Sequence, residues 1–280
     1  MFCKTSKNVE ISLEANPNTF ERDKFLGFKE VGVNRLSLGV QALNEKDLKF
    51  LGRTHSLVDA RKAIDLGVEV FDKFSVDLIY ARPNQVFDDW VKEIDEMVEK
   101  GVKHISLYQL SIEEGTVFYR KNVKEMEEEK SAEFYEKTVS YLKDMGFERY
   151  EVSNFAVDKK NRSIHNMAYW DGGDYIGLGK GSAGRIKVDN KFYGLRDGKI
   201  EEELSITDRA LELIFMGFRI KDGINFDRFK EIIGRDLREF LDVEKMEEFR
   251  KEGMIEIDNV GARLTDKGFL VMDKIVLDLI

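Results

Sequence analysis

Short apolar runs recur along the first part of the chain, with amphipathic segments between them. The runs that predict β-strands are VEISL at 9–13, VNRLSLGV at 33–40, FSVDLIY at 74–80 and HISLYQL at 104–110. The intervening segments with helical spacing lie at 20–31, 45–52, 57–66 and 87–99. Strands that alternate with helices predict βαβ units and a parallel sheet, whose ligand sites lie at the carboxyl ends of the strands.

The pattern changes in the second half of the chain. A helix is predicted at 131–145, followed by a strand at 148–157 and a turn at 159–162. The composition changes near 200–204, and a helix is predicted after it at 207–219, with Thr207 as its N-cap. Two shorter helices are predicted at 226–233 and 243–251. A hairpin formed by 254–257 and 262–264 follows them, and Thr265 caps a last helix. Helices followed by a hairpin predict a small winged-helix-like α+β domain.

Charge and hydropathy narrow the classes of partner. The net charge is −9, and residues 205–280 hold 13 Lys and Arg against 17 Asp and Glu, which disfavours nucleic acid as a partner. No apolar run approaches the length of a transmembrane segment, and the opening MFCKTSKNVE lacks the apolar region of a signal peptide. We therefore expect a cytoplasmic protein with no transmembrane segment.

The number of cysteines excludes a disulfide bond and a thiolate zinc site within one chain. Cys3 is the single cysteine, so neither a disulfide nor a zinc site built on several thiolates can form within one chain.

Polar residues stand near the ends of the predicted strands. They are Glu14, Gln41, Asp77 and Ser111, with Arg53 in the turn LGRTHS. Each taken alone is typical of any strand end, but together they form a ring at the edge where a parallel sheet binds ligands.

The glycine-rich stretch GKGSAG at 179–184 matches G-x-G-x-x-G. A dinucleotide site requires a helix immediately after this motif, whereas RIKV at 185–188 predicts a strand. A tight turn that lets a ligand approach the backbone is the better interpretation.

The stretch HNMAYW at 165–170 combines His165 with the flat faces of Tyr169 and Trp170. Imidazole is a common axial ligand of haem iron, and aromatic faces can stack on a planar ligand. Chemistry alone still favours a structural histidine at this position.

Seven motifs in order resemble the radical S-adenosylmethionine proteins related to oxygen-independent coproporphyrinogen III oxidase. They are ISLEANP, GVNRLSLGVQALNEKDLKFLGRTHS, FSVDLIY, HISLYQLSIEEGT, YEVSNFA, HNMAYW and DYIGLGKG. The resemblance covers essentially the whole chain, and its HNxxYW motif points to the haem-chaperone branch. It implies an incomplete (β/α)6 partial TIM-type barrel at 1–200, holding the third to sixth strands, and the family's winged-helix-like C-terminal domain at 205–280.

The resemblance also implies site residues and cofactors. S-adenosylmethionine would contact Glu14, Gln41, Arg53, Asp77, Ser111 and Ala183. Haem would contact His165, Asn166, Tyr169 and Trp170, with His165 as the iron ligand and a haem-accepting apoprotein as partner. No residue is assigned a catalytic role.

Departures from the family pattern limit what the chain can do. The cluster motif C-x-x-x-C-x-x-C and the turn G-G-G-T-P are both missing from the sequence. Cys3 alone cannot supply the three thiolates of a [4Fe–4S] cluster, so radical activity from this chain alone is not expected. Arg82 in YARPNQ, where the family has Y-G-L-P-x-Q, stands near the expected cofactor site.

These observations leave three hypotheses open. The first is a haem-chaperone-like member of the family whose cluster-binding N-terminal part is missing and could act as a partner. An exposed third strand would then make the isolated chain self-associate. The second is a cluster-free haem or porphyrin binding protein, and the third is a metal-dependent barrel hydrolase or lyase that uses Glu14 and Asp77.

Overall fold

The computed structural model describes residues 9–19 and 21–280, and the chain divides into two compact units. The first unit comprises Met1–Arg149 and Ser153–Arg162, and the second comprises Tyr150–Val152 and Ser163–Ile280. Cys3 lies outside the described residues.

A six-stranded sheet forms the centre of the first unit. Its strands are β1 (Ser12–Ala15), β2 (Arg35–Gln41), β3 (Lys73–Tyr80), β4 (His104–Gln109), β5 (Glu148–Arg149) and β6 (Asn154–Ala156). The order across the sheet is β1-β2-β3-β4-β6-β5. The pairs among β1 to β4 are parallel, whereas β6 runs antiparallel to both β4 and β5.

Helices connect these strands as the hydrophobic pattern predicts. They are α1 (Arg22–Glu30), α2 (Glu45–Phe50), α3 (Leu57–Val70), α4 (Phe87–Glu99), α5 (Val117–Arg120) and α6 (Glu128–Asp144). The helix α3 begins at a capping box, in which the Ser56 side chain and the Asp59 side chain each accept a hydrogen bond from the other residue's backbone N–H. The parallel βαβ arrangement is thus confirmed.

The two faces of the sheet differ in chemistry because side chains alternate along a strand. Leu36 and Leu38 of β2 and Val76 of β3 pack with the helices in the core of the first unit. Successive positions on the other face are Ser37 of β2, Ser75 and Asp77 of β3, and Ser106 of β4. One face is therefore apolar and covered by helices, and the other is polar.

The single strand predicted at 148–157 is wrong. The segment forms the short hairpin β5–β6 instead, and Tyr150–Val152 leave the sheet for the second unit. Tyr150 is fully buried, and its hydroxyl accepts a hydrogen bond from the backbone N–H of Ser163. This buried anchor explains why the chain leaves the strand at residue 150.

The second unit contains two small antiparallel sheets. Its strands are β7 (Ala183–Val188), β8 (Lys191–Arg196), β9 (Lys199–Leu204), β10 (Ile224–Asn225), β11 (Ile255–Ile257) and β12 (Gly261–Leu264). The sheet orders are β7-β8-β9 and β10-β12-β11. Its helices are α7 (Ile164–Trp170), α8 (Ile206–Gly217), α9 (Phe226–Ile233), α10 (Val243–Lys251), α11 (Asp266–Phe269) and α12 (Met272–Leu279).

Most predicted elements of the second unit are confirmed, but the start of α8 is corrected. Ser205, and not Thr207, is the N-cap, because the Ser205 side chain accepts a hydrogen bond from the Asp208 backbone N–H. The Asp208 carboxylate in turn accepts a hydrogen bond from the Ser205 backbone N–H, which completes a capping box. The predicted cap Thr265 is confirmed by its hydrogen bond with the backbone N–H of Gly268.

Taken together the chain is an α/β protein. In the described part of the chain, no helix is both long enough and apolar enough to cross a membrane.

Candidate cofactor site

A carboxylate and three serines form a connected layer on the polar face of the sheet. The Ser37 hydroxyl lies 3.0 and 3.1 Å from the two carboxylate oxygens of Asp77 and donates to them. The Ser75 hydroxyl donates to Ser37 over 2.9 Å, and Ser106 on β4 also hydrogen-bonds Asp77. The strand register explains the layer, because Ser37 pairs with Ser75 and Asp77 pairs with Ser106.

Burial makes Asp77 an unusual carboxyl group. Burial raises the pKa of Asp77 to about 6, although the hydrogen bonds from Ser106 and Ser37 act in the opposite direction. The negative charge of Glu14, which pairs in register with Ser37, raises this pKa further. Two of the predicted site residues, Glu14 and Asp77, are therefore close enough to interact.

Gln41 is the last residue of β2, the strand that also carries Ser37 of the serine layer. Gln41 has a φ of 74°, and the register with β3 shifts between Gly39 and Gln41. A Cβ at Gly39 would lie 2.9 Å from Nε2 of Gln41 and 3.4 Å from Oδ1 of Asn16. Gly39 thus leaves room for the two amide side chains that follow β1 and β2.

The LGRTHS turn is fixed by its own geometry and by two contacts to the strand ends. Gly52 has a positive φ, and the Arg53 N–H bonds the Leu48 carbonyl, which together end α2 as a Schellman motif. His55 Nε2 donates to the Val40 carbonyl over 3.1 Å, and Asn18 donates to Thr54 over 2.8 Å. The turn is therefore held against the ends of β1 and β2.

Arg53 is the cation that this turn supplies. Burial lowers the pKa of Arg53, and its buried Nε has no hydrogen-bond partner. Among the described residues, no carboxylate forms an ion pair with Arg53. A half-buried guanidinium with an unused donor is suited to a carboxylate of a ligand.

The remaining predicted contacts are Ser111 and Ala183. Ser111 follows β4, is exposed, and its hydroxyl donates to Glu113 over 3.0 Å. Ala183 is the first residue of β7 in the second unit. The strand that begins there confirms that GKGSAG does not precede a helix, so it is not a dinucleotide fingerprint.

Arg82, the departure from the family motif, is buried and not directed at the serine layer. Its guanidinium forms ion pairs with Glu93 of α4 and with Asp47 of α2, the latter over 3.2 Å. Glu93 also accepts a hydrogen bond from the Leu43 backbone N–H. The network borders a cavity of about 420 Å³ lined by the turn after β3 and by α2 and α4.

In the second unit, the HNMAYW residues lie on α7. The i, i+4 spacing of a helix places His165 next to Tyr169 and Asn166 next to Trp170. Ser163 caps the helix by accepting a hydrogen bond from the Asn166 backbone N–H. His165 Nε2 lies 3.0 Å from the Tyr169 hydroxyl, and the two rings meet edge to face with centroids 4.7 Å apart. The Tyr175 ring also meets the Tyr169 ring edge to face, with centroids 4.6 Å apart.

Trp170 is directed towards the interior of the second unit. Its indole borders a cavity of about 30 Å³ shared with Leu213 and Ile220, and the Arg219 guanidinium lies 5.9 Å from the ring centroid. The cavity has room for water and not for a macrocycle. The exposed side of α7 is therefore the side of His165 and Tyr169.

Metal cofactors require sets of donor side chains that the described residues do not supply. Among the described residues, no group of three His, Cys, Asp or Glu side chains could hold a metal ion. The 280 residues contain one cysteine, so they do not fit a [4Fe–4S] cluster. The Arg53 guanidinium, with its unused buried Nε donor, is of the chemical type that binds a ligand carboxylate.

Sequence reasoning missed Ser37, Ser75, Ser106 and the role of Gly39. A signal was present, because these residues stand at alternate positions opposite the apolar residues of β2, β3 and β4. Tyr175 could not be foreseen as a neighbour of Tyr169, since no regular periodicity links the two.

Two family models match this chain. The model described as Radical SAM superfamily matches residues 1–97, and the model described as HemN C-terminal domain matches residues 204–271.

Similar curated proteins carry two kinds of name. Radical S-adenosyl methionine domain-containing protein 1, mitochondrial, of Dictyostelium discoideum is 31% identical over 96% of this chain and 71% of that protein. Heme chaperone HemW of Lactococcus lactis is 32% identical over 96% of this chain and 76% of its own length. Heme chaperone HemW of Buchnera aphidicola from Acyrthosiphon pisum is 39% identical over 66% of this chain, but only 49% of its length is covered.

Among solved structures, coproporphyrinogen III oxidase (HemN) from Escherichia coli superposes with a TM-score of 0.76. The match covers 97% of this chain and 69% of that one at 16% sequence identity, so it describes the fold alone.

Proposed function

The chain belongs to the HemN- and HemW-like family of radical S-adenosylmethionine proteins, and we propose that it binds haem through α7 and delivers it to an apoprotein. The hydrogen-bonded pair of His165 and Tyr169 on the exposed side of α7 carries this proposal. Similar proteins named as haem chaperones support it.

The pair supplies what a haem carrier needs. It places a nitrogen atom and an oxygen atom, each of a type that can coordinate haem iron, 3.0 Å apart on the exposed side of α7. The Tyr169 ring is steadied by Tyr175, which limits the entropy lost on binding. Asn166 stays a proposed haem contact, whereas we propose that Trp170, whose indole borders the small interior cavity, supports the helix and does not touch the haem itself.

Removing both donors tests this proposal directly. We expect the chain to form a one-to-one complex with ferric haem, and we expect the double variant H165A/Y169A to lose at least tenfold in affinity. Absorption titration measures the affinity, and circular dichroism checks that the variant is folded. The matched control is Tyr119→Ala on α5, an exposed tyrosine at which no loss is expected. Equal haem affinity in wild type and double variant would contradict the proposal.

We propose that the polar face of the sheet is an S-adenosylmethionine site. Arg53 would bind the ligand's carboxylate, and Glu14, Gln41, Asp77 and Ser111 would complete the contacts within the first unit, whereas the role of Ala183, which lies in the second unit, stays a prediction. When bound next to a reduced [4Fe–4S] cluster, S-adenosylmethionine supplies radicals. No radical step is assigned to these 280 residues, because the cluster's thiolates would have to come from outside them.

The role of Arg53 can be measured by calorimetry with S-adenosylmethionine. We expect R53Q to weaken binding by about ten- to a hundredfold, since a charge-assisted hydrogen bond contributes roughly 1.5–3 kcal/mol. The control is R61Q, because the Arg61 guanidinium is already paired with Glu96 on the outside of α3. Identical affinities for R53Q and wild type would rule out Arg53 as the carboxylate partner.

We propose further that the first unit is part of an incomplete (β/α)6 barrel whose third to sixth strands are β1 to β4. Residues 1–200 would form the barrel with its extension, and residues 205–280 a winged-helix-like domain. The match of the HemN C-terminal domain model to residues 204–271 supports the second boundary. A cytoplasmic location stays a prediction, and some relatives are named as mitochondrial.

A further inference from the structure

We infer that the loop between α7 and β7 binds the porphyrin ring itself, through the apolar side chains of Ile176 and Leu178. We infer further that Lys180 and Lys199 pair with the carboxylates of the porphyrin. The inference rests on the proposed haem-binding function and names the surface that holds the macrocycle independently of its iron. Ile176, Leu178, Lys180 and Lys199 are called the loop patch below.

The two apolar side chains of the loop patch lie in solvent. Leu178 is 86% exposed, more than any other large apolar side chain that the structure describes, and Ile176 is 63% exposed. The fold itself gains almost nothing from the hydrophobic effect at these two positions. An apolar ligand that covers both side chains removes their surface from water, and this burial favours binding.

The backbone of the loop is held in place on both sides of these residues. Tyr175 and Arg185 of β7 exchange two backbone N–H to carbonyl hydrogen bonds, over 2.8 and 2.9 Å. Gly177 packs so closely that a Cβ there would lie 2.4 Å from a backbone carbonyl oxygen of β7. The Asp197 N–H donates to the Ser182 carbonyl over 2.9 Å, which holds the far end. A ligand therefore meets a loop that has little conformational entropy to lose.

The loop begins next to the pair on α7 that carries the haem proposal. The Tyr175 ring meets the Tyr169 ring with centroids 4.6 Å apart, and Ile176 is the next residue in the chain. A Cβ at Gly198 would lie 3.9 Å from Leu178 Cδ2, so Leu178 lies beside the turn between β8 and β9. A series of contacts thus links Tyr169, the loop and this turn within the second unit.

Two exposed cations complete the loop patch. Lys180 lies two residues after Leu178, and Lys199 directly follows Gly198. Among the described residues, neither lysine side chain has an ion-pair or hydrogen-bond partner. The Asp197 carboxylate of the same turn accepts a hydrogen bond from the Gly181 N–H instead. Haem is a flat apolar ring with two propionate carboxylates at one edge, so apolar side chains with unpaired lysines next to them match its chemistry.

Metal-free protoporphyrin IX tests the apolar part of the loop patch, because no protein ligand can coordinate iron in this probe. Absorption titration measures its affinity for wild type, for I176S/L178S and for the control V243S/L277S. The control changes a similarly exposed pair, Val243 at 55% and Leu277 at 62%, on α10 and α12. We expect at least a tenfold loss of affinity in I176S/L178S and no loss in the control. Circular dichroism checks that all three proteins are folded.

A neutral form of the same probe tests the two lysines. In protoporphyrin IX dimethyl ester both carboxylates are esterified, so the lysines have no charge to pair with. We expect K180Q/K199Q to lose about three- to tenfold in affinity for the free acid and nothing for the ester, measured in the same detergent buffer. Unchanged affinity for the acid, or equal losses for acid and ester, would overturn the pairing of the lysines with propionates.

The other outcomes separate this inference from the function on which it rests. If wild type binds ferric haem but not protoporphyrin IX, or if I176S/L178S binds the probe like wild type, only this inference is wrong. Light scattering covers a second possible occupant. A wild-type dimer that dissociates in I176S/L178S, with porphyrin affinity unchanged, would assign the loop patch to a second copy of the chain. If wild type binds neither ferric haem nor protoporphyrin IX, the proposed haem-binding function fails as well.

Discussion

Replacing Arg82 by leucine is expected to lower the free energy of unfolding by about 3–5 kcal/mol, the range for breaking a buried ion pair from one side. Arg82 is 1% exposed and Glu93 is 5% exposed. The variant leaves the Glu93 carboxylate buried with only neutral donors, the Leu43 N–H and the Asn44 amide. Urea unfolding of wild type and R82L measures the difference.

Arg61, which borders the same cavity between α2 and α4 as Arg82, offers a matched control for this prediction. Arg61 pairs with Glu96 there, but its side chain is 46% exposed, so R61L is expected to cost only about 0–1 kcal/mol. The double variant R82L/E93Q should recover much of the loss, because a neutral glutamine still accepts the Leu43 N–H without a buried charge. Equal costs for R82L and R61L would mean that the buried network adds no stability.

The Arg82 network explains how the chain accommodates its departure from the family motif. The motif Y-G-L-P-x-Q, which YARPNQ resembles, has leucine at this position, and an unpaired arginine would disrupt the turn after β3. Glu93 and Asp47 come from two different helices and neutralise the guanidinium inside the fold. The sequence shows the substitution but not its partners, because ion pairs between distant elements leave no periodic signal.

The elements that could be predicted share strong local signals. The helices α4, α9 and α10 lie within the bounds that their apolar spacing predicts. The four parallel strands are apolar enough to be recognised one by one, although β1 begins later than its apolar run. The turns Asp189-Asn190 and Asp197-Gly198, all with positive φ, are hairpin signals that would have located β8 and β9.

The elements that could not be predicted are short or depend on distant contacts. The strands β5 and β10 have two residues each, too few for any alternation to be visible. Some residues of the candidate site can likewise be predicted from the sequence, and others cannot. Glu14, Gln41 and Asp77 are visible as polar residues near strand ends, whereas the serine layer depends on register between neighbouring strands. The pairing of His165 with Tyr169 follows from helical spacing, but its hydrogen bond requires side-chain geometry.

The acid–base behaviour of Asp77 leads to the second large expected effect. Its pKa is about 6 in the folded protein because of burial, whereas the ordinary value is near 4. The folded state therefore binds the proton more tightly than the unfolded state. The contribution of Asp77 to stability is fully favourable below about pH 4 and is lost as the pH rises through 6. Above pH 6 the buried charge costs up to about 3 kcal/mol.

We therefore expect D77N to be more stable than wild type at pH 8, by at most about 3 kcal/mol, and nearly equal to it at pH 4. Urea unfolding at both pH values measures this difference between the two proteins. Other titrating groups, such as the buried His104, whose pKa burial lowers to about 3, act on both proteins alike. The control D89N removes an exposed carboxylate paired with Lys92 and should not show the same pH dependence.

A stability difference that is the same at pH 4 and pH 8 would show that the Asp77 carboxylate is not destabilised by burial. The expected result instead identifies a charge that the fold keeps at a cost in stability. Such a cost is typical of binding sites, where groups are arranged for a ligand and not for the unliganded fold. If D77N also loses S-adenosylmethionine binding in the calorimetric assay, the serine layer holds Asp77 for that ligand. If D77N binds as wild type does, the layer is a structural feature of the sheet, and the site must be sought around Arg53 and Gln41.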